Sequence, residues 1–291
     1  MSSAAHLREL LAGDELIVAP GVYDGISAAL VGRMGFTAAY MTGAGVSASG
    51  FGLPDIGLLT LTEMAERARV LAGLVGVPLI ADADTGYGSP INVVRTVREY
   101  ERAGVAAIQL EDQEFPKRCG HLTGKEVVDA DRFAIVLEAA LEARRDPDTV
   151  IVARTDARAP LGVDEAIARA RRYAGVGADV IFVEAPRSAG EIERIAAEVD
   201  APLLINNVPG GLTPEVDPAR LAELGFRISI HPGVALGAVA KATIDALTAL
   251  GEQTLSTSPD RAGFFDLFGL TAWNELGERY RAHDTRGASA A

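Results

Sequence analysis

The chain is poor in several features that mark whole classes of protein. Among its 291 residues there is one cysteine, Cys119. No intrachain disulfide can form, and a reducing, cytoplasmic setting is the expectation. Positive charge is scarce, with 27 lysines and arginines against 40 acids and a net charge of −13. Nucleic acid and anionic membranes, which need clustered basic residues, are therefore not the expected partners. Small anionic substrates remain open, because local arginines or a metal can reverse the field inside a cleft. Residues 1–11 carry no basic-then-apolar leader, and no apolar run reads as long enough to span a bilayer. What is present is ordinary for a soluble globular protein: 48% hydrophobic and 23% charged residues, enough chain for one large α/β domain or two small ones.

Strand-like apolar runs recur at 15–20, 38–43, 78–84, 106–112, 150–157, 179–186, 202–208 and 227–233. Between them, apolar residues take helical spacing at 26–34, 61–74, 91–104, 131–145, 164–175, 189–199 and 218–224, and again at 235–250. Gly35, Gly104, Gly177 and Gly225 stand at the helix-to-strand junctions, and Pro78 and Pro202 mark strand starts. Eight strands alternating with helices predict a (β/α)8 TIM-type barrel over 1–250 rather than an open doubly wound sheet. No G-x-G-x-x-G turn follows the first strand, which lowers a dinucleotide-binding version of the open sheet. The last part, 251–291, collects Phe264, Phe265, Phe268 and Trp273 in a chain with only 5% aromatics. It reads as a helical extension, with a helix over 273–281, buried against the barrel floor or a second subunit.

A parallel barrel gathers reactive groups at the C-terminal ends of its strands. Here those ends carry Asp82 and Asp84, Glu111, Arg154, Glu184, Asn206 and His231, and strand two runs into the small-residue turn Thr42-Gly43-Ala44. Asp82 and Asp84, two apart, are expected on one strand face. With Glu111 from the adjacent strand, and with Asp55 of the 53–57 loop a further candidate, they form an all-oxygen cluster that repels itself unless protonated or neutralised. Mg²⁺, or Mn²⁺, is the simplest neutraliser, against the alternative that the acids cap helices or pair with arginines. Zinc is disfavoured, since Cys119 and His121 have no second pair at ligand spacing. Arg154 suits a carboxylate, or a structural pair with Glu184 or Glu111. Asn206 would donate to an anion or close a loop, and the turn at Thr42, Gly43 and Ala44 offers amides to one. None of the three lysines, Lys117, Lys125 and Lys241, ends a predicted strand, so a Schiff-base aldolase is not expected.

Cys119 lies among Lys117, Arg118, Gly120 and His121. A lone cysteine is most often a small buried hydrophobe. Cations on both sides instead lower a thiol's pKa and fit it to exchange protons near neutrality. Lys117 and Arg118 are either a solvated pair or holders of a substrate carboxylate.

These residues carry a resemblance. Glu111-Asp112-Gln113 followed by Lys117-Arg118-Cys119-Gly120-His121 resembles the signature of the isocitrate lyase and phosphoenolpyruvate mutase superfamily. Leu53-Pro54-Asp55, Asp82-Ala83-Asp84-Thr85-Gly86-Tyr87-Gly88 and Ala153-Arg154-Thr155-Asp156-Ala157 support it. The short chain is similar to the 2-methylisocitrate lyase-like members. The resemblance implies a (β/α)8 barrel whose last helix swaps between subunits, in a homotetramer built as a dimer of dimers. It implies Mg²⁺ held through Asp82, Asp84, Glu111 and Asp55, partly through water. Thr42, Gly43, Ala44 and Arg154 would hold the substrate carboxylate, with Lys117, Arg118, Gly120, His121, Glu184 and Asn206 around it. Tyr40 would help deprotonate the substrate hydroxyl, and Cys119 would protonate the departing carbanion from a loop, 113–129, that closes over the site. The implied activity is Mg²⁺-dependent carbon–carbon cleavage of a 2-hydroxy di- or tricarboxylate to pyruvate or a related oxo acid plus a second acid. Phosphonomutase or oxaloacetate hydrolase chemistry on the same scaffold, and a non-catalytic binding barrel, are the alternatives.

Overall fold

Eight short strands, each followed by a helix, bury both faces of a parallel sheet either between two helix layers or, when the sheet closes, with helices outside and side chains filling the inside. The computed structural model describes residues 1–118, 120, 124–208, 210–254 and 261–288, leaving aside the side chains of 261–263 and 281–288. The strands are β1 (Ile17–Val22), β2 (Ala39–Met41), β3 (Leu79–Asp82), β4 (Ala107–Glu111), β5 (Val150–Thr155), β6 (Val180–Val183), β7 (Leu203–Asn206) and β8 (Phe226–His231). They pair parallel in chain order and β8 returns to β1, closing the barrel. The (β/α)8 expectation holds, and each strand lies within a few residues of its sequence reading.

The principal helices are α1 (Ser3–Ala12), α2 (Gly25–Arg33), α4 (Leu61–Val75), α5 (Pro90–Ala103), α6 (Ala130–Ala143), α8 (Val163–Val176), α9 (Ala189–Glu198) and α10 (Pro218–Glu223). Single turns α3 (Gly43–Val46) and α7 (Arg158–Leu161) and a π-helical turn at Ser47–Phe51 interrupt the loops above the strands. The start of α4 is set by Thr60 and Glu63, whose side chains each accept from the other's backbone N–H. The ends of α5 and α8 are set by Gly104 and Gly177, with φ of 86° and 110°. The chain forms two compact units, Met1–Val239 and Ala240–Ala291. The second contains most of α11 (Val234–Gly251), then α12 (Arg261–Asp266) and α13 (Leu270–Ala288).

The two-residue period of the strands divides the core. Ile151 and Ala153 of β5 face outward with Val136, Leu137 and Ile167 of the helices, while Val150 and Val152 face inward. The inward layer is Ile80, Ala107, Val152, Phe182, Leu204 and Ile228. Two residues further along each strand the same parity places Asp82, Gln109, Arg154, Glu184, Asn206 and Ile230. The polar crown and the apolar filling are thus one alternation, read at two heights.

Helix α1 was not expected from the sequence. Its Leu7 is fully buried with the inward layer. Its Arg8 donates to the carbonyls of Asp148 and Thr149, just before β5, and to Asp179 at 2.9 Å, just before β6. The helix therefore seals the N-terminal end of the barrel, opposite the polar crown. α11 corrects a second expectation. With 18 residues, mean hydropathy 1.4 and little charge beyond the Lys241–Asp245 pair, it is long and apolar enough to cross a membrane by length and composition. Its Ile244, Leu247 and Leu250 are exposed.

If Leu7 is the plug, Leu7→Ala should lower unfolding free energy by about 2–5 kcal/mol. Urea denaturation would measure this, and a loss well under about 1 kcal/mol would remove the helix from the core.

Candidate active site

Asp82 ends β3 and Glu111 ends β4, both facing into the barrel and almost wholly buried. Asp84 joins them by a different route from the one expected. The strand stops at Asp82, and Asp84 has a left-handed backbone, φ 47°, so the two side chains are not related by strand pleat. The turn instead brings the Asp84 N–H to Asp82 Oδ1 at 3.1 Å and sends its own carboxylate to Lys117 Nζ at 2.8 Å. Lys117, only 4% exposed, also pairs with Asp55. The expected cluster of Asp55, Asp82, Asp84 and Glu111 is therefore assembled around an ammonium of the chain itself.

That single charge does not balance the cluster. Burial, then the neighbouring Asp84, pushes the Asp82 carboxyl up to about 6, with Lys117 and Arg154 pulling the other way. Burial pushes Glu111 well above the usual carboxylate range despite Arg154, with Asp156 adding to the rise. Glu111 Oε1 accepts no hydrogen bond from the described residues. Burial disfavours the charged form of Lys117, yet Asp84 and Glu111 more than reverse this, and it stays cationic. Buried carboxylates held above their ordinary range mark a place short of positive charge.

Gly43 makes the approach to this cluster possible. Its N–H donates to Asp82 Oδ2 at 3.3 Å, and a Cβ there would stand 2.7 Å from that oxygen. Thr42 caps the turn by accepting from the N–H of Gly45. Tyr40 faces inward below them. Burial, then Asp82, holds its phenol well above the usual range, and the opposing pull of Arg154 does not compensate. In this state Tyr40 keeps its proton.

Arg154 ends up at the centre of the crown, stacked over Phe182 at 5.2 Å. Its guanidinium makes a bidentate pair with Asp156 at 2.8 and 3.0 Å and reaches Glu111 at 3.3 Å and Glu184 at 3.7 Å. Glu184 accepts from Asn206 Nδ2. Gly120 lies directly above: a Cβ on it would fall 2.5 Å from Arg154 Nη2. Below it a cavity of about 200 Å³ is bounded by Asp82, Lys117, Arg154 and Asn206 on its polar side and by Ile230 and Leu236 on the other. Thr42, Ala44, Asp55 and Tyr40 complete the polar wall. Arg118 is placed elsewhere, exposed and with its guanidinium against Gly124. Cys119 and His121 lie outside the described residues.

Three groups at the site have no role assigned from the sequence. Asp112, fully buried, accepts from Thr155, Arg169, Tyr173 and the Asp156 N–H, all between 2.8 and 3.0 Å. Asp156 holds Arg154 and also pairs with Lys125 at 2.7 Å. Gln109 faces Asp82 across the β3–β4 pair. The signal available was position: Asp112 and Asp156 flank strand ends in Glu111-Asp112 and Arg154-Thr155-Asp156.

A closed parallel barrel with acids and an arginine gathered at its strand ends has the layout of a TIM-barrel enzyme's active end. Residues 7–250 match the phosphoenolpyruvate phosphomutase family, and the chain belongs to it. It is 46% identical over 285 residues to the 2,3-dimethylmalate lyase of Eubacterium barkeri, covering 96% of this chain and 99% of that one. It is 45% identical over 268 residues to a 2-methylisocitrate lyase of Aeropyrum pernix, covering 90% and 86%. Among solved structures, an oxaloacetate acetylhydrolase in complex with the inhibitor 3,3-difluorooxalacetate superposes with a TM-score of 0.91 at 41% identity, covering 96% and 97%.

Asp156 gives the site a pH signature. Burial pushes its carboxyl up, but Arg154 and Lys125 outweigh that and hold it at about 2. A folded value below the unfolded one, about 3.9, contributes stability in full above that value, lost as pH falls toward 2. Asp156→Asn should cost roughly 3–5 kcal/mol at pH 7, because two buried cations lose their partner. The gap from wild type should narrow in urea melts at pH 3; an equal loss at both pH values would show that the charge is not the source.

Proposed function

We propose that this protein cleaves a carbon–carbon bond of a small 2-hydroxy dicarboxylate with the help of Mg²⁺, giving an oxo acid and a second carboxylic acid. The observation that carries the reading is the two-sided cavity, with Arg154 beside a charge-starved carboxylate cluster on one side and apolar residues on the other. Asp82, Asp84, Glu111 and Asp55 would hold the cation. Their hard oxygens are the donors Mg²⁺ takes, and the orphaned Glu111 Oε1 and raised Asp82 carboxyl fit a missing positive charge. Among the described residues no three such groups stand close enough to ligate one ion directly. The fit is therefore to an ion that keeps several waters, as Mg²⁺ does. When bound, it would supply electrostatic stabilisation of the oxygen on which negative charge develops.

The chain's own groups divide the remaining work. Arg154 and the turn at Thr42, Gly43 and Ala44 hold the substrate carboxylate. Tyr40 faces the hydroxyl as its hydrogen-bond partner. The hydroxyl proton passes to a carboxylate of the cluster, whose burial raises its affinity for protons; the hydroxyl oxygen becomes the new carbonyl and the carbon–carbon pair of electrons passes to the departing carbon, stabilised by its own carboxylate. Cys119 would deliver a proton to that carbon as the general acid. Gly120, lying over Arg154, keeps water from competing for it.

The size and lining of the cavity favour a compact substrate. Lys117 and Arg154 are the only cations among its described lining residues, and both sit on the cluster side. Among the described lining residues a third carboxylate on the apolar side would meet no cation, which favours 2,3-dimethylmalate over 2-methylisocitrate. Incubation with 2,3-dimethylmalate, 2-methylisocitrate and oxaloacetate, with Mg²⁺ and then with a chelator, tests the reading. Metal-dependent cleavage of dimethylmalate at the highest kcat/KM is expected, and Cys119→Ser should lower kcat by about 10²–10⁴-fold, the range of general acid catalysis. No metal-dependent product from any of the three would sink the proposal.

The same reading includes self-association. An 18-residue apolar helix with Ile244, Leu247 and Leu250 exposed needs cover, and a second copy of the chain supplies it. Analytical ultracentrifugation should find a dimer or tetramer that Ile244→Asp weakens; a monomer at micromolar concentration would contradict this.

A further inference from the structure

The turn that carries Asp82 and Asp84 off the end of β3 holds two backbone conformations that a Cβ disfavours. Asp84 has φ 47° and Tyr87 has φ 61°. Such conformations persist only where the surroundings fix them. On one side β4 does so. The Ala83 N–H donates to the Gln109 carbonyl at 2.9 Å, and the Glu111 N–H donates to the Asp84 carbonyl at 3.0 Å. On the other side the turn is met by α5, and there the contacts come from side chains.

Thr96 and Tyr100 stand four apart on α5, on one face of the helix, and both are fully buried. Thr96 Oγ1 donates to the Gly86 carbonyl at 2.9 Å, and the Tyr100 hydroxyl donates to the Asp82 carbonyl at 2.9 Å. A phenol has one proton to give, and that of Tyr100 goes to Asp82. In the 3.0 Å contact between the phenols of Tyr87 and Tyr100, Tyr87 is therefore the donor. The chain runs one way, from Tyr87 through Tyr100 to the Asp82 carbonyl. It ties the far end of the turn and its first residue to the same oxygen. The Asp82 side chain in turn accepts the Asp84 N–H at 3.1 Å, so the two acids move as a unit.

We propose that Tyr100, with Tyr87 behind it, is a positioning residue that aims the Asp82 and Asp84 carboxylates at the cation. Both phenols act through the Asp82 backbone. Without the Tyr100 hydroxyl the Asp82 carbonyl loses this donor, Tyr87 loses this acceptor, and the left-handed residues keep less support on the α5 side. The proposal rests on the reading of these acids as holders of Mg²⁺, and its test separates the two.

Mn²⁺ takes the same hard oxygen donors and reports binding without substrate or turnover. Titrated into the ligand-free protein and followed by electron paramagnetic resonance, it should bind Tyr100→Phe about tenfold more weakly than wild type, the lower end of what outer-shell partners contribute. Tyr87→Phe should lose about two- to threefold, and the double variant no more than Tyr100→Phe, because the first hydroxyl acts through the second. Thr149→Val removes a buried hydroxyl that donates to Glu101 at 3.0 Å, at the opposite end of the barrel, and should bind Mn²⁺ as wild type does. A Kd for Tyr100→Phe within about twofold of wild type would overturn the proposal. So would losses that add in the double variant, or an equal loss in Thr149→Val, which would trace the effect to global stability. If Tyr100→Phe does not fold, Tyr87→Phe carries the test, and a wild-type Kd there overturns the proposal. Should wild type itself bind no Mn²⁺, the cation reading fails. Amide exchange over 82–88 then decides for the tie if Tyr100→Phe is faster than wild type there, and against it if the rates are equal.

Discussion

Like charges cannot be taken out of water together unless something of opposite sign goes with them. The mouth of this barrel is built under that constraint. Asp55, Asp82, Asp84, Glu111, Asp156 and Glu184 converge there with Lys117, Lys125 and Arg154. The distribution is uneven. Asp156 receives two cations and is held strongly acidic, whereas Asp82 and Glu111 receive too little and are pushed the other way. One half of the crown is an internally neutral scaffold and the other half awaits charge from outside.

The barrel makes that division possible by geometry. Inward positions alternate along each strand, so a layer of Ile80, Val152, Phe182 and Leu204 lies directly beneath the crown. This layer lowers the local dielectric and removes water that would otherwise screen the acids. Outside the strands, Asp112 ties Thr155, Arg169 and Tyr173 together and fixes the end of β5, from which Arg154 projects. The polar groups are held at their tips by one another and at their roots by packing.

Much of this was legible in the sequence, for physical reasons that also explain what was not. Apolar runs of strand length with glycines at the junctions are local signals, and all eight strands followed from them. The strand-end acids and Arg154 were legible because a parallel barrel has one functional end. The shared face of Asp82 and Asp84 was misread, since strand periodicity was carried two residues past the point where the backbone turns left-handed. Lys125 and the Asp112 hub were missed because their partners are 31, 44 and 61 positions away. Lys117 was read as a ligand for substrate, and only the fold shows it engaged with Asp55 and Asp84. α1 went unnoticed because Leu7, Leu10 and Leu11 make an apolar face whose partner exists only once the barrel has closed.

That last point has a consequence for how the chain comes into being. α1 precedes every strand of the barrel, yet the carboxylate that receives Arg8 is 171 residues downstream at Asp179. At ribosomal speeds of about 5–20 residues per second the helix waits on the order of ten to thirty seconds with its leucines uncovered. The cap on the barrel is thus made ahead of every strand it seals and is among the last elements to dock.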